Sequence, residues 1–524
     1  MTEEEPADLL RASVVEITHT GGPAVGSEVM IEADEVAAFL GSGEAGGAAV
    51  RGGAIRVVGY ILNAALGALA AAFMFRYLGR ERVGVYVAAM AIAAIVAGLS
   101  DLGLSSLGLR ELAVRDAASR AKLMRSLLGL RITVTAIGIA GAILFSLVVG
   151  YEPVIVAGVA LAGASLLFQG AQGTLALSWM SRLRLGLITG TEVGGQVLNV
   201  TLTIAGVLIG AGVLYFIGIA IPVAVSLLVV TAWLLRRQVP LLPRVDRVEW
   251  TALVRSVLPF SVVSAIGVIY FRASVVVVTL TTSTDQISYF GISFRILEAL
   301  IVIPGLMITG VFPIFARAAV ENQQRFAYAL SRVFTVALIA GVWFGLALAI
   351  GAPVAIAAFG GHEFNGAVPV LQIQAIGLAG TFVNMVWGTA LLTLRSNRPL
   401  IVMSIGGLVL GTLLVFVLAS SDGAAGAAAG TAITEWLAAF VGALVLRRCA
   451  PDLFPSMRVV PRVALAAGIA ALPMLISGVP AYVTAIISSV IYVAILLLMR
   501  AIPAEVFEEL RSLRDRVWPR SRTA

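Results

Sequence analysis

The sequence predicts an all-α polytopic membrane protein with about 14 transmembrane helices. Three observations carry this. Of 524 residues, 60% are apolar and 12% charged, with a mean hydropathy of +1.01, where soluble chains carry about 25% charge. Apolar stretches of roughly 20 residues, enough to cross a bilayer, follow one another from residue 55 to residue 500. Basic residues gather in alternate connections between those stretches.

The chain opens with a polar segment, 1–50, holding ten acidic residues and one basic residue, Arg11. Its Gly/Ala/Ser stretches and lack of a long apolar run predict a mostly disordered cytoplasmic tail with at most a short helix near Ile31–Leu40. We expect residues 1–48 to be dispensable for insertion. Spans 1–6 follow at 55–76, 84–108, 126–149, 154–180, 186–210 and 213–235. Spans 7–12 fall at 252–281, 286–316, 328–357, 366–393, 399–419 and 424–446, and spans 13 and 14 at 460–477 and 481–500. Pro259, Pro304, Pro313 and Pro473 lie within spans and predict kinks, because each removes a backbone donor.

The loops after even-numbered spans, with the residues flanking span 1 and the C-terminal tail, hold 28 basic residues. The loops after odd-numbered spans hold three, Arg76, Arg80 and Arg82. This bias predicts a multi-pass membrane protein with both termini in the cytoplasm.

Spans 1–6 and 7–12 read as two copies of one unit. Each opens with a hairpin whose second helix starts near a Tyr (Tyr86, Tyr289) and ends in a basic loop (Arg110, Arg317). An even number of helices gives both copies the same orientation, related by an axis along the membrane normal. The domains are then a first lobe at 51–235, a linker at 236–250, a second lobe at 251–447, two added helices at 448–500 and a tail at 501–524. In that tail Val506, Leu510, Leu513 and Val517 share one helical face, which suits a helix on the inner leaflet.

Composition also excludes chemistries. All basic residues but Lys122 are Arg, and Lys122 follows Ser119-Arg120-Ala121 rather than a glycine-rich run, so there is no Walker A loop. One Cys and two His build neither the usual zinc sites nor an intrachain disulfide. The outward connections, such as 150–153 and 420–423, are too short to carry the carboxylates of a lipid-linked glycosyltransferase or polymerase. No enzyme, metal, cofactor or catalytic residue is expected, and no nucleic-acid partner.

Some phrases resemble a known family. Tyr289-x5-Arg295-x2-Glu298-x5-Pro304-x7-Phe312-Pro313 is similar to span 8 of the multidrug/oligosaccharidyl-lipid/polysaccharide exporter superfamily. The run Phe359-Gly360-Gly361-His362-Glu363-Phe364, with Ala367, Pro369, Val370 and Leu371, resembles the turn before span 10 in its polysaccharide flippases. Leu78-Gly79 through Gly84-Val85-Tyr86 and Asp101-Leu102-Gly103-Leu104 resembles the first hairpin. The resemblance covers about residues 50–500, and the acidic tail lies outside it. It implies a flippase that moves a polyprenyl-(pyro)phosphate-linked glycan through a cavity between two lobes, among membrane lipids and near a polysaccharide polymerase or glycosyltransferases. Export of cationic drugs is the alternative within the superfamily, and a non-transporting scaffold for envelope assembly the alternative outside it.

Charged side chains inside the bilayer cost roughly 3 kcal/mol each by insertion scales and so mark candidate sites. Arg272 and Arg295 lie about ten residues on either side of the turn at 282–285, which puts them at one depth. Glu298 shares a helical face with Arg295. Two guanidiniums and one carboxylate leave a positive charge, which favours a phosphate or pyrophosphate site over a purely structural pair. Glu192, Gln196 and Asn199 on span 5, Gln172 on span 4, Asn63 on span 1 and Asn384 on span 10 are further cavity candidates, each of which also reads as polar glue between helices. Glu435 in span 12 reads as a proton site or as packing beside Trp436.

Overall fold

The computed structural model describes residues 43–502 except 102, 116, 183, 238, 241, 395 and 477. The Ile31–Leu40 helix, residues 1–42 of the acidic segment and the amphipathic tail helix therefore lie outside the described residues. Within them every regular element is helical. Among the described residues nine helices are long and apolar enough to cross a membrane, and two of these, Val58–Leu112 and Arg398–Cys449, contain two spans each. Shorter apolar helices at Ala265–Thr281 and Val459–Leu475 supply spans 7 and 13. Span 5, Leu185–Leu208, is helical but falls short of that apolarity, because Thr, Gln, Asn and Glu interrupt it. A polar helix needs a polar face to look at, and a cavity supplies one here.

Helix ends follow local chemistry. The first helix starts at Gly43, inside the segment assigned to the tail, and runs to Asp101 with one break at Gly79. Gly79 has φ 73°, a left-handed conformation that glycine adopts without steric cost, and this single residue turns the chain between spans 1 and 2. Asp422 and Gly423 do the same between spans 11 and 12. Span 6 is split into Val213–Gly218 and Ala220–Leu235. Pro222 cannot donate a hydrogen bond to the Gly218 carbonyl, which explains a break that the sequence reading did not place. Pro473 ends span 13 in a 3-10 turn, Leu472–Leu475, as expected. At Pro259, Pro304 and Pro313 the helices Arg247–Thr281 and Thr284–Glu321 run on without interruption.

Spans 1–6 pack on one another, as do spans 7–12, and spans 13 and 14 pack on span 9. The two groups meet chiefly through spans 1 and 2 on one side and spans 7, 8 and 9 on the other. The cores are arranged unevenly along the membrane normal. At the end bearing the odd-numbered loops, one apolar cluster runs across both groups, joining Phe75, Val85 and Phe216 to Ile292, Ile356 and Leu371. At the opposite end the described residues form two separate clusters. One, around Leu127 and Trp179, belongs to spans 2–6 and the start of span 7. The other, around Phe334 and Trp387, belongs to the second group with spans 13 and 14. The lobes are thus joined at the odd-loop end and carry separate cores at the even-loop end.

Polar contacts at the even-loop end tie the linker to the first lobe. Glu249 is bound by Arg115 at 3.3 Å and Ser126 at 2.9 Å, with Lys122 at 3.7 Å. Asp246 caps helix Arg247–Thr281 by accepting from the Glu249 N–H. That hydrogen bond, helped by nearby Lys122 and Arg244, holds the Asp246 carboxyl below its usual range.

Candidate functional site

A cavity lies beneath the shared core, between spans 1, 2, 5 and 6 of the first lobe and spans 7 and 8 of the second. Small residues line much of it: Gly67, Ala70 and Ala71 on span 1 and Ala91 and Ala94 on span 2, while Gly291 on span 8 lets Val87 pack closely against its backbone. Phe75, Tyr86, Phe216 and Phe294 give it aromatic walls.

Arg272, Arg295 and Glu298 all line this one cavity. The Arg272 guanidinium donates to Glu298 Oε1 at 2.7 Å, and Arg295 donates to Glu298 Oε2 at 3.1 Å. One carboxylate therefore bridges two bases, and the ionised groups facing the cavity sum to two minus one, a charge of +1. The two arginines are held differently. Arg272 is 26% exposed and its guanidinium lies 5.4 Å from the Phe271 ring and 6.0 Å from that of Phe294. Such packing fixes the charge and keeps it stabilised in a dry setting. Arg295 pairs with Glu298 one helical turn away and is 56% exposed, so its fork is presented to the cavity. A guanidinium fork presented in this way can bind a carboxylate or phosphate bidentately.

The opposite wall is neutral and polar. Gln196, Asn199 and Thr203 of span 5 line it, and the Thr203 hydroxyl donates to Asn199 Oδ1 at 3.3 Å. Glu192, one turn from Gln196, turns toward Arg56 at 3.9 Å instead. Gln172 donates to the Thr231 hydroxyl at 3.4 Å within the first lobe. The Asn63 Oδ1 is buried without a hydrogen-bond partner among the described residues, and Asn384 is half-buried on span 10. Glu192, Gln172, Asn63 and Asn384 are absent from the lining of the central cavity.

Glu435 belongs to a second, smaller cavity inside the second lobe between spans 7, 8, 10, 11 and 12. Its Oε1 accepts from the Tyr270 hydroxyl at 2.8 Å. Its Oε2 and both polar atoms of the Gln374 side chain are buried without hydrogen-bond partners among the described residues. Among the described residues no basic side chain lines this cavity. Tyr270 and Gln374 were not singled out from the sequence. Tyr270 had a legible signal, sitting two residues from Arg272 on a span otherwise rich in Val, whereas the Gln374 position gave none.

No family model matches the chain, and no curated protein sequence matches it. Solved structures do. The chain resembles a structure described as the lipid II flippase MurJ in an inward closed conformation, with a TM-score of 0.69 and 12% identity over 85% of this chain and 98% of that one. It resembles an inward-facing multidrug resistance MATE family transporter of the MOP superfamily, with a TM-score of 0.59 and 18% identity over 74% and 95% of the two chains. A third is a MOP superfamily transporter from Pyrococcus furiosus whose binding pocket is described as of reverse polarity, with a TM-score of 0.53 and 19% identity over 78% and 96%. The fold is therefore that of the multidrug/oligosaccharidyl-lipid/polysaccharide exporter superfamily, in agreement with the resemblance read from the sequence.

Proposed function

We propose that the chain is a flippase of a bacterial cytoplasmic membrane. In this reading it moves a lipid-linked oligosaccharide or polysaccharide repeat unit from the cytoplasmic to the outer leaflet by alternating access. The observation that carries the reading is the Arg272–Glu298–Arg295 bridge with its excess positive charge in the cavity between the lobes. A pyrophosphate would take the Arg295 fork while glycan hydroxyls meet Gln196 and Asn199 across the cavity, and the polyprenyl chain stays in lipid. The odd-loop face is outward in this reading, since 28 basic residues mark the other face as cytoplasmic. The joined odd-loop end and the divided even-loop end then correspond to a state closed to the outside. The chain has no P-loop, so ion coupling or consumption of product must drive the cycle, and Glu435 in its separate cavity is our candidate for a coupling proton.

Export of cationic drugs would use the same aromatic walls, but would place a cation beside two guanidiniums, which Coulomb repulsion disfavours. Ligand-induced stabilisation of purified protein separates the two. A short-chain polyprenyl pyrophosphate should raise the melting temperature of the natural chain and leave Arg272→Gln/Arg295→Gln unmoved, while tetraphenylphosphonium moves neither. Stabilisation by tetraphenylphosphonium alone would overturn the reading in favour of drug export.

A further inference from the structure

We propose that Arg76 and Arg80 form a latch between the lobes that holds the outward face shut. These two, with Arg82, are the three basic residues in the odd-numbered loops, against 28 on the other face. Charge bias works against bases there, so their presence calls for a reason, and solvation alone does not explain their geometry. Arg76 closes span 1 of the first lobe, yet its Nη2 donates to the carbonyls of Ala357 at 2.9 Å and Ala358 at 2.7 Å. Those carbonyls lie in the last turn of helix Gln323–Phe359 in the second lobe. The Ala357 carbonyl also accepts from the Gly361 N–H at 3.1 Å, and both carbonyls belong to the negative end of the helix dipole. Arg80 crosses to the start of span 8, donating to the Tyr289 hydroxyl at 2.8 Å with Asp285 at 3.7 Å. Beside them Gly84 packs against the Thr284 backbone so closely that a Cβ would overlap the carbonyl.

The shared apolar core gives the lobes cohesion without direction, whereas these polar contacts fix the register in which they meet. They sit where water can replace every bond, so the latch releases at little cost when the lobes rock. All of them join one lobe to the other, so opening outward must break them together. The latch therefore biases a two-state equilibrium toward the outward-closed form. This inference rests on the alternating-access reading and on the outward placement of the odd loops, and is independent of what the cavity binds.

The test uses a Cys449→Ser background carrying Ala94→Cys as a reporter in the central cavity. Right-side-out vesicles are treated with a membrane-impermeant maleimide, without substrate. Arg76→Gln/Arg80→Gln should raise the labelling rate roughly tenfold, a population shift of the size a few lost polar contacts produce. An unchanged rate at normal abundance overturns the latch. Should the double variant fail to accumulate, Asp285→Arg is compared with the exchange Arg80→Asp/Asp285→Arg. The latch predicts fast labelling in the first and slow labelling restored in the second, and equal rates overturn it. A protein that labels as expected but moves no lipid-linked headgroup leaves the latch standing and removes the proposed substrate instead.

Discussion

Replacing Arg295 is the perturbation that separates an anion site from a structural ion pair. A hydrogen bond to a charged partner contributes about 1.5–3 kcal/mol, and each 1.4 kcal/mol is about tenfold in affinity. Arg295 is 56% exposed, so solvent screening places it at the low end of that range. Arg295→Ala should therefore raise the substrate concentration for half-maximal flipping by about tenfold while protein abundance stays near normal. Arg295→Lys should recover part of the loss, because a point ammonium keeps the charge and loses the fork. Glu298→Gln should do less harm than Arg295→Ala. It leaves both guanidiniums charged, and the amide oxygen still accepts from Arg272, 2.7 Å away in the natural chain. The assay is headgroup flipping in liposomes at a series of substrate concentrations, with abundance read by immunoblot. A structural pair makes a different forecast: Arg295→Ala and Glu298→Ala each lower abundance, and the double variant recovers it. Recovery of both abundance and flipping in the double variant would refute the anion site.

Two further outcomes follow from the loops. Cys449 ends span 12 on the even-loop face and is exposed, so an impermeant maleimide should label it only in inside-out vesicles; labelling of intact cells would invert the topology. Asp246 carries a depressed carboxyl pKa because it accepts from the Glu249 N–H. A depressed folded-state value means that the cap stabilises the chain above the ordinary carboxylate pKa and is lost as pH falls through the folded value. Asp246→Ala should therefore speed proteolysis of the linker at neutral pH, and the difference from the natural chain should vanish in strong acid; equal cleavage at neutral pH would argue against the cap.

Much of the fold was legible because membrane spans announce themselves by length and apolarity. What escaped was local. A single residue, Gly79, reverses the chain where the sequence reading placed a seven-residue connection. The break in span 6 rests on Pro222, which apolarity counting passes over. In the site, counting residues from the 282–285 turn was enough to put Arg272 and Arg295 at one depth, and i,i+3 spacing was enough to pair Arg295 with Glu298. That Glu298 also reaches Arg272, and that two phenylalanines hold it, depends on how spans 7 and 8 face each other. Periodicity could not assign the span 5 residues: Gln196 and Asn199 face the cavity while Glu192 pairs with Arg56. The Tyr270–Glu435 contact joins residues far apart in sequence and leaves no local trace.

The central claim is that this chain carries an anionic, lipid-linked headgroup across a membrane, and headgroup translocation tests it most directly. Purified protein is reconstituted into liposomes holding a fluorescent polyprenyl-pyrophosphate oligosaccharide, and an impermeant quencher reports which leaflet displays the headgroup. The account predicts that the natural chain brings inner-leaflet headgroups to the surface and that Arg272→Gln/Arg295→Gln, inserted at equal level, does not. A natural chain that leaves the headgroups where they began, under an imposed proton gradient as well as without one, would contradict it.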